Sequence, residues 1–401
     1  MKYKQIIVKI YAGIPSIHQI NLAIRNRKRI LVVGMLDSPH FQKWVNELQK
    51  QKLFDRILLF PSDSPKVKFA RNYTKGDTNI RRMHFKVGKF TNWAIFKILD
   101  LLFGTKWRSL QLARVIKVFK PSMIHFHELQ HGAYLFNPIS NLKSNRLKII
   151  SSTWGSDILL YGEMASHKKR LSEVFDWTDT LTSERQEDLE LANKLGFNGE
   201  FLAPVYITVG TERITQGSYD LPSSRHGLII KGYQDIPGRA LNVLRALDIL
   251  GDKLLSFQIY IFSADKSPAV GVQAELLASK HNLNIQVLRK IDNSELMEYF
   301  KKSRVYVGAS ISDGLSTSMV EAMMHGTFPI QSLNSAAHHF IDNGINGFII
   351  DPWDIDSIVN AIKISISDNL LVDNASKINT NVINEKYNLQ SGIDKMRKLY
   401  S

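Results

Sequence analysis

Small residues and two acids are concentrated in residues 310–330, SISDGLSTSMVEAMMHGTFPI. The loop offers residues suited to a helix N-terminus, namely Gly314, Ser316, Thr317 and Ser318. Backbone N–H groups and the helix dipole at such a position favour phosphate. Asp313 and Glu321 flank the loop with carboxylates that accept hydrogen bonds from hydroxyl groups. This pattern suits a nucleotide joined to a polyol, as in a nucleotide sugar.

A structural interpretation of the same stretch fits equally well. Ser318-x-x-Glu321 matches a capping box, in which the glutamate returns to the N-cap N–H. Gly326 matches the glycine that commonly follows a helix C-terminus. Spacing alone leaves both interpretations open.

Basic residues flank a second loop in the C-terminal half. Lys231 and Arg239 bracket KGYQDIPGR, which follows a predicted strand. A guanidinium at a helix start can bind a diphosphate through two parallel hydrogen bonds, although a single arginine is more often a surface residue. Ser335 begins a small-residue turn whose amides could make a second phosphate contact.

The N-terminal half places histidines after a predicted strand, in HFHELQHG. The spacing of His125, His127 and His131 matches no common zinc pattern, so we expect no metal and instead a hydrogen-bonding surface for a polyol. Two further turns follow predicted strands. They contribute Ser38 and His40, then Trp154 and Asp157. Asp157 could equally cap the segment that follows it.

These loops require strands that end at a common edge. Short apolar runs alternate with amphipathic segments, which predicts an α/β fold with doubly wound parallel sheets. The pattern stops at a polar stretch and then restarts, which predicts two Rossmann-like domains with a ligand cleft at their carboxyl edges. The predicted divisions are a basic extension at 1–28, an N-terminal domain at 29–205, a linker at 206–226 and a C-terminal domain at 227–384. Residues 62–82 are predicted to form a loop, with a short strand near 84–87.

The net charge of +15 is unevenly distributed. Residues 1–200 contain 33 Lys and Arg against 17 Asp and Glu, whereas residues 201–401 contain 19 against 20. No nucleic-acid-binding module is present, so we expect no nucleic acid partner. An anionic membrane surface or a lipid-linked phosphate substrate fits the charge better, with residues 25–29 and 81–82 as the contact.

Other features narrow the function class. The chain has no cysteine, no apparent secretory signal and no apolar run of about 18 residues, so we expect a cytoplasmic protein, peripheral at the inner face of the membrane. The first strand is not followed by G-x-G-x-x-G, and the sequence lacks a Walker A motif and a G-x-S-x-G elbow. These absences argue against nicotinamide dehydrogenases, ATP-dependent phosphoryl transfer and α/β-hydrolases.

Several motifs, taken in order, resemble a known family. The residues from Asp313 to Ile330 resemble the E-x7-E signature of retaining glycosyltransferases of family 4, which have the GT-B fold. Residues 342–350 (DNGINGFII) resemble the run that follows the signature. PSMIHFH at 121–127 and TWGSD at 153–157 resemble two N-terminal motifs of the same family. The similarity extends from about residue 29 to the C-terminus.

This resemblance implies roles for individual residues. Glu321 would bind the ribose of the donor nucleotide, and Asp313 would hold hydroxyls of the transferred sugar. Lys231 and Arg239 would neutralise the leaving diphosphate, so no metal or other cofactor would be required. Backbone amides facing the sugar and diphosphate would come from Gly314, Leu315, Ser316 and Thr317. A C-terminal helix at 385–401 would cross back to the N-terminal domain.

The sequence therefore predicts a retaining hexosyltransferase that uses a nucleotide diphosphate sugar and a glycan or lipid-linked acceptor. Trp154 stands where the family has a histidine, whose role could pass to His127 or His131. Two alternatives stay open: an inactive relative that binds nucleotide sugar or glycan, and a GT-B nucleotide-sugar epimerase.

Overall fold

The computed structural model describes residues 10–11, 28–63, 80–82, 85–86, 98–99, 101–215, 219–265 and 267–401. The chain divides into two compact units. Residues 1–209 and 393–401 belong to the N-terminal unit, and residues 210–392 form the C-terminal unit. Within the described part of the chain, no helix is long and apolar enough to cross a membrane.

The N-terminal unit is built on a parallel sheet. Its described strands are β1 (Ile10–Tyr11), β2 (Arg29–Gly34), β3 (Arg56–Pro61), β4 (Ile80–Arg82), β5 (Phe85–Lys86), β6 (Met123–His127), β7 (Lys148–Ser152), β8 (Thr180–Thr182) and β9 (Glu200–Leu202). Seven of them lie in the order β4-β3-β2-β6-β7-β8-β9, and β1 pairs with β5 separately. The strand order reverses between β2 and β6, which are neighbours near the centre of the sheet.

Helices connect these strands. The described α-helices are α1 (Pro39–Lys50), α2 (Lys106–Phe119), α3 (Ser156–Leu159), α4 (Ala165–Trp177) and α5 (Asp188–Lys194). Short 3-10 helices occur at Ala133–Leu135, Asn137–Leu142 and Tyr161–Glu163. Residues 98–99 and 101–103 are also helical. α1 begins with a proline directly after Ser38, a position where the missing proline N–H costs nothing.

The C-terminal unit repeats this architecture. Its strands are β10 (Gly227–Lys231), β11 (Gln258–Phe262), β12 (Asn284–Val287), β13 (Ser303–Gly308), β14 (Phe328–Ser332) and β15 (Phe348–Ile350). They form a parallel sheet in the order β12-β11-β10-β13-β14-β15. Here the order reverses between β10 and β13.

The helices of this unit cover the sheet. The α-helices are α6 (Ala240–Leu250), α7 (Pro268–His281), α8 (Asn293–Lys302), α9 (Thr317–Met324), α10 (Ile355–Ser367), α11 (Asn369–Lys386) and α12 (Leu389–Leu399). Short 3-10 helices occur at Pro222–Ser224, Gly251–Leu254 and Ala336–His339. The last residues of α12 belong to the N-terminal unit.

The central strands carry the two cores. Residues 30–33 of β2 and 228–230 of β10 are completely buried, as expected for parallel strands covered on both faces. Burying one such side chain contributes about 1.5–3 kcal/mol. The predicted fold class is confirmed, and each sheet presents its loops at the carboxyl edge, beside its own point of reversal.

Two predicted elements differ from the structure, and one helix was not predicted. The predicted loop at 62–82 contains β4, an edge strand of the main sheet. The strand predicted near 84–87 is β5, but it pairs with β1 rather than joining that sheet. Helix α11 was not predicted at all. Its sequence is rich in Asn, Thr, Val and Ile, which are weak helix formers, so burial of one face decides its structure.

Candidate functional site

Two loops meet where the strand order of the C-terminal unit reverses. One follows β10 and the other follows β13. The N–H of Arg239 donates to the carbonyl of Ala309 at 3.0 Å, and the N–H of Ile311 donates to that of Pro237 at 2.8 Å. The tight turn needs Gly238, because a Cβ there would lie 2.2 Å from the carbonyl oxygen of Tyr233. Backbone hydrogen bonds therefore hold the two loops together.

Lys231 and Asp313 form an ion pair at this point. Lys231 Nζ lies 3.2 Å from Asp313 Oδ2, and the two side chains are 24% and 26% exposed. Burial lowers the pKa of Lys231, but the Asp313 carboxylate more than offsets this, so its pKa is raised. The lysine stays protonated at neutral pH, and the pair places a cation and a carboxylate side by side.

The loop after β13 leads directly into α9. Gly314 N–H donates to Asp313 Oδ1 at 3.0 Å, which turns the chain, and the Gly314 carbonyl accepts from Ala336 N–H. α9 begins at Thr317 with Ser316 as its N-cap, and the Ser316 side chain makes no capping bond. The N–H groups of the first helical turn have no acceptor within the helix. Leu315, between Gly314 and Ser316, is buried.

The capping box is not formed. Ser318 lies inside α9, and its hydroxyl contacts the Tyr306 hydroxyl at 3.0 Å rather than capping the helix. Glu321 lies one turn further along and is half-buried. Asn293 Nδ2 donates to Glu321 Oε1 at 3.2 Å. Ser318 is therefore not the N-cap that a Ser318-x-x-Glu321 capping box requires.

Arg239 is held against its own loop. Its guanidinium donates to the carbonyl oxygens of Ile236 and Gly238 at 3.0 and 2.6 Å and lies 4.3 Å from the ring centroid of Trp353. A diphosphate contact would require this side chain to exchange carbonyl partners for phosphate oxygens. Ser335 is also occupied, because its buried hydroxyl donates to the Ser332 carbonyl and accepts from Ala337 N–H.

The N-terminal unit has its own group of polar residues at the β2–β6 reversal. His127, at the end of β6, is 1% exposed, with ring centroids 5.2 Å from Phe41 and 4.0 Å from His125. Burial lowers its pKa to about 3, so the imidazole is neutral. Neither of its ring nitrogens has a hydrogen-bond partner. Unpaired buried nitrogens are uncommon and indicate a missing ligand or water.

The turn after β7 lies beside this histidine. The rings of His127 and Trp154 are 6.4 Å apart, and the buried Trp154 Nε1 also has no partner. Asp157 accepts hydrogen bonds from the N–H groups of Leu129 and Trp154 at 2.7 and 2.9 Å. Burial, and secondarily Glu128, raises the pKa of Asp157. This carboxyl ties two loops together, so Asp157 positions Trp154.

Glu128 and His131 form a second pair in this group. Glu128 has a positive φ of 64°, which is unusual for a residue with a side chain. Its Oε2 lies 2.6 Å from His131 Nδ1, whereas its buried Oε1 has no partner. The hydrogen bond to Glu128 raises the pKa of His131, whose side chain is 62% exposed.

Asp63 adds a further carboxyl. Burial, then the charges of Asp37 and Glu128, raise its pKa, and its buried Oδ1 has no partner. Ser38 is the N-cap of α1 without a side-chain capping bond, and His40 lies half-buried in the first turn. We call His127, Glu128, Asp63 and Trp154 the open polar group, since each has a buried polar atom without a partner.

Two members of this group were not among the predicted site residues. Glu128 lies within HFHELQHG, where only the histidines were considered, and Asp63 lies in a stretch predicted as loop. Their position was nonetheless visible, because Glu128 follows β6 directly and Asp63 follows β3 by two residues. The carboxyl ends of parallel strands are where ligands bind in such sheets.

Two family models match the chain. Residues 29–184 match the model described as glycosyl transferase 4-like, and residues 265–384 match glycosyl transferases group 1. Together they cover more than half of the chain. The chain belongs to the GT-B glycosyltransferases of group 1. The predicted membership of the GT-B glycosyltransferases is thus confirmed, and the two family models fall on the two units of this glycosyltransferase.

A curated relative aligns over part of this glycosyltransferase. It is the UDP-Gal:alpha-D-GlcNAc-diphosphoundecaprenol alpha-1,3-galactosyltransferase of Escherichia coli, 29% identical over 119 residues. The alignment covers 30% of this chain and 30% of the relative.

Solved structures show the same fold. Sucrose-phosphate synthase from Thermosynechococcus elongatus has a TM-score of 0.71 at 14% identity, with 93% of this chain and 98% of that chain covered. Anabaena HepE in complex with UDP and glucose has a TM-score of 0.67 at 12% identity, with 93% and 99% covered. The two-domain α/β GT-B fold of this glycosyltransferase follows from these likenesses.

Proposed function

We propose that this glycosyltransferase is an enzyme that transfers a hexose-type sugar from a nucleoside diphosphate sugar to a hydroxyl group of a glycan or lipid-linked acceptor, with retention of configuration. The observation that carries the proposal is the Lys231–Asp313 pair beside the start of α9. It places a cation, a carboxylate and helix N–H groups within one carboxyl edge. These are the groups required by a sugar diphosphate.

The proposed donor chemistry assigns one task to each group. Lys231 would stabilise the negative charge that develops on the leaving diphosphate, a task that suits a lysine kept protonated by its surroundings. Asp313 would accept hydrogen bonds from the hexose hydroxyls and Glu321 from the ribose hydroxyls. The N–H groups at the start of α9 would bind phosphate oxygens, and Arg239 would join them after leaving its carbonyl partners.

The proposed acceptor site is the open polar group of the N-terminal unit. Its buried unpaired atoms include donors and acceptors, which suits a polyol with both O–H donors and oxygen acceptors. His127 is neutral and can accept a hydrogen bond from an acceptor hydroxyl. Asp157 would position Trp154, and His131, Ser38 and His40 would border the site.

The relatives support a choice of first substrates. The curated relative is named for UDP-galactose and a diphosphoundecaprenol-linked N-acetylglucosamine, and the HepE structure holds UDP and glucose. We therefore propose a UDP-hexose as donor and a diphospholipid-linked sugar as acceptor. Charge neutralisation by Lys231 and Arg239 would make transfer independent of a metal ion, which assays with excess EDTA would test.

The test is a thermal-shift screen of nucleoside diphosphates, followed by transfer assays with hexoses on the best nucleotide. Transfer that is lost in Glu321→Gln and retained in Glu275→Gln, an exposed glutamate on α7, would support the proposal. Proton NMR of the new linkage would test retention. Tight nucleotide-sugar binding without turnover would favour the inactive relative, and a changed sugar without acceptor would favour the epimerase.

A further inference from the structure

Exposed apolar side chains are concentrated before and within α2. Ile98 is 55% exposed, Leu101 85%, Leu102 65%, Phe103 57% and Leu110 66%. Sixteen large hydrophobic side chains are exposed in the described part of the chain, and these five fall within 13 residues. Single exposed apolar residues are ordinary, whereas a concentrated group marks an interaction surface.

Helix α2 adds exposed basic and apolar side chains to this group. Lys106, Leu110 and Lys117 are exposed and lie at spacings of four and seven residues, which places them on one face of the helix. The opposite face carries Leu112 and Ile116, which pack into the core. The exposed face of α2 therefore combines an apolar side chain with two cations.

The charge of this segment is mainly positive. Residues 98–117 contain four Lys and Arg against one acid, Asp100. Arg108 is buried and donates to the Ser62 carbonyl, so the exposed cations are those on the outer face of α2 and at its end. Such a surface is complementary to a partner that offers both an apolar phase and negative charge.

We propose that exposed side chains within residues 98–99 and 101–117 form a docking surface of this protein for an anionic lipid bilayer. We call Ile98, Leu101, Leu102, Phe103, Lys106, Leu110 and Lys117 the docking surface. The apolar side chains enter the acyl boundary, and Lys106 and Lys117 contact lipid phosphates. This inference deepens the proposed function, because a lipid-linked acceptor is presented at a membrane.

The docking surface differs from the membrane contact expected from sequence. That expectation used residues 25–29 and 81–82. Within it, the described side chain of Arg29 is already engaged, since its Nη1 donates to the Phe119 carbonyl at 2.9 Å. The net charge indicated only that a membrane contact would lie in the N-terminal half. The exposed fractions of the apolar side chains indicate which segment of that half would make it.

The experiment is flotation of the full chain with vesicles of 30% phosphatidylglycerol in phosphatidylcholine, without donor or acceptor, so its outcome is independent of sugar transfer. The wild type is expected to float with these vesicles. Leu101→Ser/Leu102→Ser/Phe103→Ser is expected to lower the partition coefficient at least about tenfold, since each buried apolar group adds to binding. A matched control, Val272→Ser/Leu276→Ser/Leu370→Ser, replaces exposed apolar residues of the C-terminal unit and should bind as the wild type does.

A second variant keeps the test valid if the triple variant misfolds. Lys106→Gln/Lys117→Gln is expected to weaken flotation severalfold, and 0.5 M salt should reduce wild-type binding in the same direction. Failure of the wild type to float would overturn the proposal, as would unchanged flotation of both variants. A wild-type dimer that these serine substitutions dissociate, with no flotation, would instead assign the surface to a second copy of the chain.

Discussion

Replacing Lys231 and replacing Asp313 should have opposite effects on UDP affinity. Lys231→Met removes the cation that would face the diphosphate, so UDP affinity should fall about tenfold, equivalent to about 1.4 kcal/mol. Asp313→Asn removes a carboxylate that competes for the same ammonium group at 3.2 Å. UDP should therefore bind this variant as tightly as the wild type or more tightly, although transfer should be lost.

Isothermal titration with UDP measures both effects, and Lys231→Arg, which retains the charge, serves as the control. Equal UDP affinity for Lys231→Met and the wild type would remove Lys231 from the proposed diphosphate site. Weaker binding by Asp313→Asn would show that the carboxylate supports nucleotide binding rather than sugar binding.

Ionised Asp63 is expected to lower the free energy of unfolding. Its pKa is raised in the folded state by burial and then by neighbouring acids, so ionisation destabilises the fold as pH rises above about 4. Asp63→Asn should raise the melting temperature at pH 8 by about 2–4 °C, and the gain should vanish below pH 4. Transfer should fall at the same time, because the amide offers one accepting oxygen in place of the two of the carboxylate.

Thermal melts of Asp63→Asn at both pH values check this prediction, with Asp176→Asn as an exposed control in the same unit. A variant less stable than the wild type at pH 8 would mean that Asp63 is a structural acid. Residues that lower stability but support activity are typical of functional sites.

For individual residues, the sequence indicated candidate residue types but not the residues that they contact. Asp313 and Glu321 stand out as candidates in the sequence because they follow a predicted strand and flank a predicted helix start. Their contacts were not, since Lys231 lies 82 residues from Asp313 and Asn293 lies on another helix. Asp63 escaped prediction because its carboxyl matters only through the neighbours that the sheet brings to it.

The end of the chain is an element with its own hydrogen-bond network. The Tyr400 hydroxyl accepts from Trp44 Nε1 at 2.9 Å and lies 2.6 Å from His125 Nδ1, and His125 Nε2 lies 2.6 Å from Ser152 Oγ. Lys28 Nζ donates to the Tyr400 carbonyl at 2.8 Å. Burial lowers the pKa of His125, so the ring is neutral and donates from one nitrogen while accepting at the other.

Tyr400→Phe should destabilise the N-terminal unit by about 1–3 kcal/mol, because it leaves buried donors and acceptors unpaired. Urea unfolding followed by tryptophan fluorescence checks this, with Tyr299→Phe, a half-buried tyrosine on α8, as control. Equal midpoints for Tyr400→Phe and the wild type would show that the network adds nothing to stability.

Element prediction succeeded where local pattern and burial agree. β2 and β10 are short apolar runs, and they form the centres of their sheets. α11 was missed because its stability comes from tertiary contacts, such as the bond from Asn346 Nδ2 to Asn379 Oδ1 at 2.8 Å. β4 was missed for a related reason, since an edge strand in a polar, basic stretch carries little apolar pattern.

For the whole molecule, two units with separate cores imply separate responses to ligands. UDP should slow hydrogen exchange in residues 231–239 and 310–321 of the C-terminal unit. A soluble acceptor analogue should slow it in residues 127–132 of the N-terminal unit. Exchange measured by mass spectrometry checks this division, and UDP protection confined to the N-terminal unit would reverse the proposed assignment of the two sites.

The central claim is that this protein transfers a hexose through the acids beside α9. The most direct measurement is the initial rate of hexose transfer from the donor selected by thermal shift to a diphospholipid-linked acceptor, for the wild type, Glu321→Gln and Glu275→Gln. We predict transfer by the wild type and by Glu275→Gln, and at least about a hundredfold loss in Glu321→Gln. Equal rates for Glu321→Gln and the wild type would contradict the account.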